Sequence, residues 1–386
     1  MKTTKSQIVI FDFNVTKNSP IGSCVLQLVT DIYKDYQITV VADIFENPAP
    51  EEINWIRVPL PPKPVLLRYV LFQWLAPIYY RKYYRNNSGK KPLIIASQGE
   101  FINCDISYSQ FGHQAYLDNQ WHTNTSKGLR RLARWMIHKF NANTEAKAFA
   151  HTQKIVVPSQ GLAKELTETY PQIANKIVII PNPVDIHKFA PPQEFNRQEM
   201  RKKFNFSAND VVMIFVALGD FERKGLNLLM ESLAKLENPQ AKLLVVGGTE
   251  SIIQEYKQLQ NQLGLANQVY FAGFQTDIRP YLWASDLLVH PSTYETFCLV
   301  VFQGCAAGLP FMATQLYGVE EFLQNGINGW QVERNLDSIS TTLQQILGNK
   351  TKVIEMGKIA RNMVNSYDAP IFVSRWRSII QKLVSV

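Results

Sequence analysis

The sequence predicts an α/β fold in two domains, and three observations support this prediction. The chain has 386 residues, which is too long for one ordinary core and fits two domains of common size. Short apolar runs of strand length alternate with longer segments of helical periodicity along the chain, an order typical of parallel sheets covered by helices. A linker rich in proline and polar residues lies near residue 190. We therefore expect a first domain at 1–190 and a second at 191–367.

The composition is that of a globular protein, with 46% hydrophobic and 19% charged residues. Met1–Gln7 is polar and the first apolar run, Ile8–Phe13, has strand length, so no signal sequence is predicted. The four cysteines show neither paired metal spacing nor the pattern of a small disulfide-rich domain: Cys24, Cys104, Cys298 and Cys305. A reducing cytoplasm is the expected location.

The net charge of +8 is confined to the first half of the chain. Residues 1–190 hold 22 Lys and Arg against 14 Asp and Glu, whereas residues 191–386 hold 18 of each. Such asymmetry indicates an anionic partner for the first domain. A phospholipid surface, a phosphorylated acceptor and nucleic acid are the candidates, but no nucleic-acid module is recognisable, so nucleic acid is not expected.

The first elements predict a βαβ unit: a strand at Gln7–Phe13, a helix at Gly22–Tyr36 and a strand at Gln37–Ala42. No Gly-x-Gly-x-x-Gly sequence follows the first strand, which argues against a dinucleotide-binding enzyme. Gly22 lies just inside the helix, where the absence of a side chain would let a ligand phosphate approach the backbone. A glycine at an ordinary turn is an equally good interpretation.

Two stretches of the first domain combine basic and apolar residues. Segment 63–91 has an aromatic-rich run, Tyr69–Tyr80, that is too short to cross a bilayer. Its basic residues are Lys63, Arg68, Arg81, Lys82, Arg85, Lys90 and Lys91. Segment 127–140, inside a helix predicted at Ser126–Ala150, is amphipathic. Either these are core helices with solvated basic ends, or they bind the anionic inner face of a membrane.

In segment 127–140 the apolar face is predicted to hold Leu129, Leu132, Ala133, Met136 and Phe140, and the opposite face Arg130, Arg134 and His138.

His113 follows a glycine near the end of a strand predicted at Ile106–Ser109. Ligands of open α/β sheets bind at this edge, although a lone histidine is more often structural. Further along, Ser159 is the predicted N-cap of a helix.

The second domain opens with a strand at Val211–Ala217 and a loop, Gly219–Gly225, that is not a Walker A sequence. The loop places two cations, Arg223 and Lys224, at the start of a helix that follows a strand. Arginine binds phosphate oxygens bidentately and lysine acts as a point charge. The alternative is a solvated surface pair.

The stretch 286–311 predicts a strand, a turn and then a helix that opens at Glu295 and ends at Gly308. The first N–H groups of a helix have no internal partner and favour an anion such as phosphate. On that helix Gln303 would lie about two turns beyond Glu295 on the same side. A buried βα unit with Glu295 as an ordinary first-turn acid is the alternative.

These motifs resemble those of the retaining glycosyltransferases of family 4, which have the GT-B fold. In that family a Glu, seven residues and a second Glu follow a His-Pro-Ser turn, and an Arg-Lys-Gly run binds the diphosphate. Here Gln303 replaces the second Glu and Cys298 replaces a usual Gly. The loop Gly219–Gly225 is similar to the lipopolysaccharide-core glucosyltransferase branch.

The resemblance implies two Rossmann-like domains facing across a cleft, with segment 368–386 forming a helix that returns to the first domain. It implies transfer of a hexose from UDP-glucose or a similar nucleotide sugar to a glycan or lipid-linked acceptor in cell-envelope glycan biosynthesis. No metal and no other cofactor is expected, and no Asp-x-Asp pair is present for one.

The resemblance implies that the diphosphate is bound by Arg223, Lys224 and Gly22, and the ribose by Gln303. It implies that the sugar is bound by Glu295 with the backbone of Thr296, Phe297, Cys298 and Leu299. It also implies a position near the transferred sugar for His113. A second hypothesis, motivated by Gln303 and Cys298, is a catalytically weak nucleotide-sugar-binding subunit. An epimerase would need two acid/base groups at the sugar ring, and none is identifiable.

Overall fold

The computed structural model describes residues 5–85, 91–124 and 126–384, so Lys90 of the basic segment 63–91 lies outside the described residues. The chain divides into two compact units. Unit 1 comprises the residues up to Pro183 together with those from Ala369 onward, and unit 2 comprises Val184–Asp368.

Unit 1 is built on a parallel sheet whose strands run in the order β5-β3-β1-β6-β7-β8-β9, beside a short parallel pair, β2-β4. The strands are β1 (Gln7–Phe11), β2 (Asn14–Val15), β3 (Gln37–Ala42), β4 (Ile44–Phe45), β5 (Asn54–Arg57), β6 (Leu93–Ser97), β7 (Ile106–Tyr108), β8 (Lys154–Val157) and β9 (Ile177–Ile179). The central strands are buried and rich in Ile and Val, as expected of a sheet covered on both faces.

The helices of unit 1 are α1 (Gly22–Ile32), α2 (Val65–Tyr84), α3 (His113–Ala115), α4 (Gly128–His151), α5 (Gln160–Thr169) and, at the far end of the chain, α15 (Ala369–Val384). The predicted N-cap of α5 is confirmed, because the Ser159 hydroxyl accepts from the backbone N–H of Leu162 at 3.2 Å. From α15, Phe372, Trp376 and Ile380 enter the core under β1, β3 and β6.

The first strand and the first helix of unit 1 both end earlier than predicted. The first strand ends at Phe11 rather than Phe13, because the N–H groups of Phe13 and Asn14 donate to side chains instead of to a neighbouring strand. Phe13 donates to Glu100 and Asn14 donates to Asp12, each at 2.9 Å. Helix α1 ends at Ile32 rather than Tyr36, where the N–H groups of Asp35 and Tyr36 both donate to the Ile32 carbonyl.

Unit 2 is built on a second parallel sheet, in the order β12-β11-β10-β13-β14-β15. The strands are β10 (Val211–Val216), β11 (Ala241–Val246), β12 (Val269–Gly273), β13 (Leu287–His290), β14 (Phe311–Ala313) and β15 (Gly329–Gln331). The helices are α6 (Ile186–Phe189), α7 (Arg197–Lys202), α8 (Leu226–Leu236), α9 (Glu250–Gln262), α10 (Arg279–Ala284), α11 (Leu299–Ala306), α12 (Val319–Phe322), α13 (Leu336–Leu347) and α14 (Lys350–Met363). Two buried clusters, each including residues of the sheet, form its core.

Candidate active site

In unit 2, two loops meet at the carboxyl edge of the sheet, because β10 and β13 are adjacent parallel strands. The first, residues 217–225, leads from β10 to α8, and the second, residues 291–298, leads from β13 to α11. Gly225, the last residue of the first loop, has a φ of +85°, and a Cβ there would be 2.4 Å from the carbonyl oxygen of Pro291 in the second loop. Ligands of open α/β sheets bind at this edge.

Hydrogen bonds join the loops on both sides of Arg223. Its backbone carbonyl accepts from the backbone N–H and the hydroxyl of Thr293, at 3.0 and 3.1 Å. Its guanidinium donates to the carbonyl of Tyr294 at 2.6 Å. The loop that carries the cations is therefore fixed to the loop that carries Glu295.

The predicted residues Arg223, Lys224 and Glu295 lie together. Lys224 Nζ is 2.6 Å from Glu295 Oε1, and Arg223 NH1 is 3.7 Å from the same oxygen. The hydroxyl of Ser292 donates to Oε1 at 3.2 Å, and His290 Nε2 lies 3.3 Å from it. In the described part of the chain these contacts fall on Oε1 and none falls on Oε2.

The electrostatics of this cluster keep Glu295 ionised. Burial by itself would raise the pKa of Glu295, but Lys224, His290 and Arg223 together hold that pKa well below its usual range. Burial lowers the pKa of His290, and Lys224 lowers it further, against the opposing effect of Glu295. The histidine is therefore neutral near pH 7 and the cluster carries an excess of positive charge.

The prediction that a helix opens at Glu295 is wrong. Residues 295–298 are loop, and α11 begins at Leu299. The left-handed backbone of Cys298, with φ of +57°, separates Glu295 from the helix. Gln303 is the fifth residue of α11, so Glu295 and Gln303 do not lie on one helical face. The φ of residue 298 also gives a physical reason for a glycine there.

Of the four residues that follow Glu295, two bury their side chains and two leave them partly exposed. Phe297 stacks on Phe302 with ring centroids 4.5 Å apart and is 3% exposed. Cys298 is also buried in the core. Only the backbone of these two is left for a ligand, as the resemblance implies, whereas Thr296 and Leu299 are partly exposed.

Sequence reasoning missed three residues that organise the site. His290 and Ser292 hold the Glu295 carboxylate, and the His-Pro-Ser turn was a signal that could have identified them. Arg334 bridges the two loops, donating to the carbonyls of Glu222 at 2.8 Å and Pro291 at 3.3 Å. No local pattern marks Arg334, because its position depends on where the chain returns after β15.

In unit 1, Gly22 is the first residue of α1. A Cβ at this position would be 1.9 Å from the backbone oxygen of Asn14. Packing of α1 against the chain after β1 therefore requires a glycine here, whatever else Gly22 does.

His113 begins α3, and its backbone N–H donates to the buried carboxylate of Glu145 at 2.9 Å. Its Nδ1 lies 3.1 Å from Nδ1 of His138 on α4. Burial and the neighbouring His138 lower the pKa of His113 to about 3. The ring is therefore neutral near pH 7 and can act as a hydrogen-bond partner but not as a cation.

Among the described residues, no three His, Cys, Asp or Glu side chains gather as metal ligands do. Within the same residues, no helix has both the length and the apolar character needed to cross a bilayer.

Two units with parallel sheets, one bearing cations and a carboxylate at its carboxyl edge, define a two-domain α/β protein. Two family models match nearly the whole chain: Glycosyltransferase Family 4 at residues 22–188 and Glycosyl transferases group 1 at residues 196–363. The chain belongs to this family of GT-B glycosyltransferases.

Curated relatives match parts of the chain. It is 32% identical over 149 residues to the lipopolysaccharide core biosynthesis glycosyltransferase LpsE of Rhizobium meliloti, a stretch of 37% of this chain and 43% of that protein. It is 29% identical over 201 residues to the UDP-Gal:alpha-D-GlcNAc-diphosphoundecaprenol alpha-1,3-galactosyltransferase of Escherichia coli, covering 50% of this chain and 51% of that one. The matched stretch thus spans about half of these relatives' length or less.

Solved structures share the fold over nearly the full length. The structure of WaaG, a glycosyltransferase involved in lipopolysaccharide biosynthesis, matches with a TM-score of 0.76 at 16% identity and covers 97% of this chain and 99% of that one. Anabaena HepE in complex with UDP and glucose matches with a TM-score of 0.70 at 17% identity and covers 99% of this chain and 100% of that one. The GT-B fold predicted from the sequence is confirmed.

Proposed function

We propose that this protein is a retaining glycosyltransferase that moves a hexose from a nucleotide sugar to a glycan or lipid-linked acceptor without a metal ion. The observation that carries the proposal is the cluster of Arg223, Lys224 and Glu295 at the carboxyl edge of the unit 2 sheet. It supplies charge for a diphosphate and a hydrogen-bond acceptor for a sugar in one place.

The charge balance of the cluster suits a diphosphate leaving group. Arg223 and Lys224 outnumber the single carboxylate of Glu295, and Arg334 adds a third cation beside the loops. The side chains of Arg223 and Lys224 are only 19% and 18% exposed, so their attraction for an anion is less screened than on an open surface. Cations fixed in this way stabilise the negative charge that develops as the diphosphate departs.

Glu295 supplies the complementary function. Because its pKa lies well below the usual range, it is a carboxylate at working pH and can only accept hydrogen bonds. Lys224, Ser292 and His290 hold Oε1. Oε2 is therefore the oxygen available to sugar hydroxyls. No side chain is assigned as a covalent nucleophile, and retention would follow from attack on the face that the diphosphate leaves.

The names of relatives support the choice of donor and acceptor. The E. coli relative is named for UDP-Gal and a diphosphoundecaprenol-linked sugar, and the HepE structure holds UDP and glucose. LpsE and WaaG are named for lipopolysaccharide biosynthesis. A UDP-hexose donor and an acceptor of the cell envelope are the corresponding proposals for this chain.

Unit 1 offers a surface for a membrane-held acceptor. Helices α2 and α4 contact each other and carry large exposed apolar residues: Val65, Leu67, Trp74, Ile78, Tyr79 and Tyr83 on α2, and Leu129, Leu132, Trp135 and Met136 on α4. Exposed cations accompany them at Arg81, Lys82, Arg85, Arg130, Arg131 and Lys139. We assign this surface to an anionic lipid bilayer, because apolar side chains ringed by cations match its headgroup region. Arg68 does not contribute, since it pairs with Asp43 at 3.0 Å.

The alternative is a nucleotide-sugar-binding subunit with little activity of its own. Gln303 motivates it, because a neutral amide binds a ribose hydroxyl more weakly than a carboxylate would.

The test is release of nucleotide from a panel of UDP-sugars in the presence of envelope-type acceptors, with product mass analysis and with chelator added. We expect transfer that a chelator does not reduce. Arg223→Ala and Lys224→Ala should each lower turnover about 100-fold or more in protein that remains folded at the assay temperature, as checked by thermal unfolding. Lys235→Ala, which removes a lysine of α8 paired with Asp337 at the surface, is the matched control.

Full activity in either the Arg223 or the Lys224 variant would overturn the assignment of the cluster. Donor binding without any nucleotide release would favour the binding subunit instead.

A further inference from the structure

Two histidines from separate elements meet in unit 1. His113 begins α3 and His138 lies in α4, with Nδ1 atoms 3.1 Å apart and ring centroids 5.2 Å apart. This separation is that of a hydrogen bond. A bond between two Nδ1 atoms needs a proton on one and a lone pair on the other.

Both rings are neutral at working pH. Burial lowers the pKa of His138 to about 4, with a further contribution from Arg134, and the pKa of His113 is about 3. Each neutral ring carries a single proton. The ring protonated at Nδ1 therefore has a lone pair at Nε2, and the other ring has an N–H at Nε2, so the two rings hold opposite tautomers.

The surroundings fix both rings. Tyr116 stacks on His138 with centroids 4.7 Å apart. Phe111 contacts both imidazoles, with centroids 5.0 Å from His113 and 5.6 Å from His138. Glu145 anchors the backbone of His113. Neither imidazole can turn away from the other without leaving these ring contacts.

We propose that His138 is a positioning residue that couples the tautomer of His113 to its own, so that the hydrogen-bonding role of His113 Nε2 toward a hydroxyl of the bound saccharide depends on His138. The inference rests on the proposed function and on the family resemblance, which implies a position near the transferred sugar for His113. A hydroxyl can donate to one tautomer or accept from the other. In a mixture of tautomers, Nε2 of His113 would have the wrong hydrogen-bonding role for a given hydroxyl orientation in part of the molecules. A phenylalanine at position 138 would preserve the ring packing and remove this control.

The tautomers can be measured without any substrate. Protein labelled with nitrogen-15 at histidine is studied by long-range nitrogen–proton correlation at neutral pH, with His113→Phe and His138→Phe used for assignment. We expect one of the two rings to be protonated at Nδ1 and the other at Nε2. Two rings both protonated at Nε2 would overturn the proposal.

The effect on catalysis is measured with the active wild type. His138→Phe should lower kcat about tenfold, the scale of one hydrogen bond, with the donor KM nearly unchanged. His138→Asn, whose amide can replace Nδ1 as a partner, should recover part of this loss. His151→Phe, an exposed position at the end of the same helix, is the control.

Unchanged kcat in His138→Phe would refute the positioning role even if the tautomers are opposite. A wild type without transferase activity would refute the proposed function instead, and the nitrogen measurement would still decide whether the histidine pair exists.

Discussion

Gly225 shows how a single residue permits the site in unit 2. Its left-handed backbone and its missing side chain let the loop with Arg223 and Lys224 approach Pro291. The hydrogen bonds from Thr293 to the Arg223 carbonyl depend on that approach. The two cations reach Glu295 because residue 225 has no Cβ, which leaves room for the backbone oxygen of Pro291.

Gly225→Ala should destabilise the protein by about 2–4 kcal/mol, because it adds a collision with backbone to the cost of a left-handed alanine. It should also lower turnover by displacing both cations. Gly264→Ala is the matched control: its φ is +69°, but a Cβ there meets nothing within 4 Å, so we expect a loss of about 1 kcal/mol. Urea unfolding measures both. Equal losses in the two variants would contradict the close approach at Pro291.

Asp12 is a buried acid at the end of β1 in unit 1. It is 3% exposed, and its Oδ2 has no hydrogen-bond partner among the described residues. Burial raises the pKa of Asp12 to about 6. The folded state thus binds a proton more tightly than the unfolded chain, so the contribution to stability is greatest at low pH and declines as pH rises from about 4 to about 6.

Asp12→Asn should remove this decline. The asparagine oxygen can still accept from the Asn14 N–H, and the neutral amide has no charge to desolvate. The variant's gain in free energy of unfolding over the wild type should be larger at neutral pH than at about pH 4, by on the order of 2 kcal/mol. Urea unfolding at both pH values measures this difference. Asp337→Asn, at an exposed carboxylate, should show a small difference. A gain for Asp12→Asn that is independent of pH would be incompatible with a raised pKa.

At the scale of elements, α4 has two halves with different surroundings. Its second half enters the core of unit 1 through Asn141, Ala142, Thr144, Glu145, Ala148 and Phe149. Its first half has the apolar face that the sequence predicts, but the side chains of Leu129 and Leu132 are 86% and 51% exposed. Helix α2 is similar, since only Phe72 and Ala76 are buried. Both helices thus contribute to the core of unit 1 and also expose apolar residues.

The double variant Leu129→Glu/Leu132→Glu should weaken binding to vesicles that contain anionic lipid by at least about tenfold, because it replaces inserted apolar groups with repelled charges. Sedimentation with phosphatidylglycerol vesicles measures the effect, and added salt should weaken wild-type binding. Ile354→Glu on α14, at a residue that is 61% exposed in unit 2, is the control. If the wild type bound neutral vesicles equally well, the electrostatic part of this proposal would be lost.

At the scale of the molecule, unit 1 is assembled from both ends of the chain. Trp376 of α15 is fully buried and contacts Tyr108 of β7 edge to face, with ring centroids 5.1 Å apart. Arg377 on the same helix donates to Asp35 at 2.9 Å. The spacing of Phe372, Trp376 and Ile380 predicts an amphipathic helix, but spacing does not say which core it enters.

Periodicity predicted much of the fold because strands and helices have different hydrophobic repeats. The alternation of elements was accessible in this way, whereas the glycosyltransferase resemblance came from the motifs that carry Arg223, Lys224 and Glu295. The start of α11 was not, because a left-handed Cys298 interrupts an apolar run that looks helical throughout.

The sequence by itself determined the two-domain α/β class and the motifs that carry Arg223, Lys224 and Glu295, since both depend on local patterns. Only the tertiary structure decided that His290 and Ser292 hold Glu295, that Arg334 joins the two loops, and that His113 meets His138. Those contacts join residues from different elements, and which elements are neighbours follows from strand order and packing rather than from any local sequence signal.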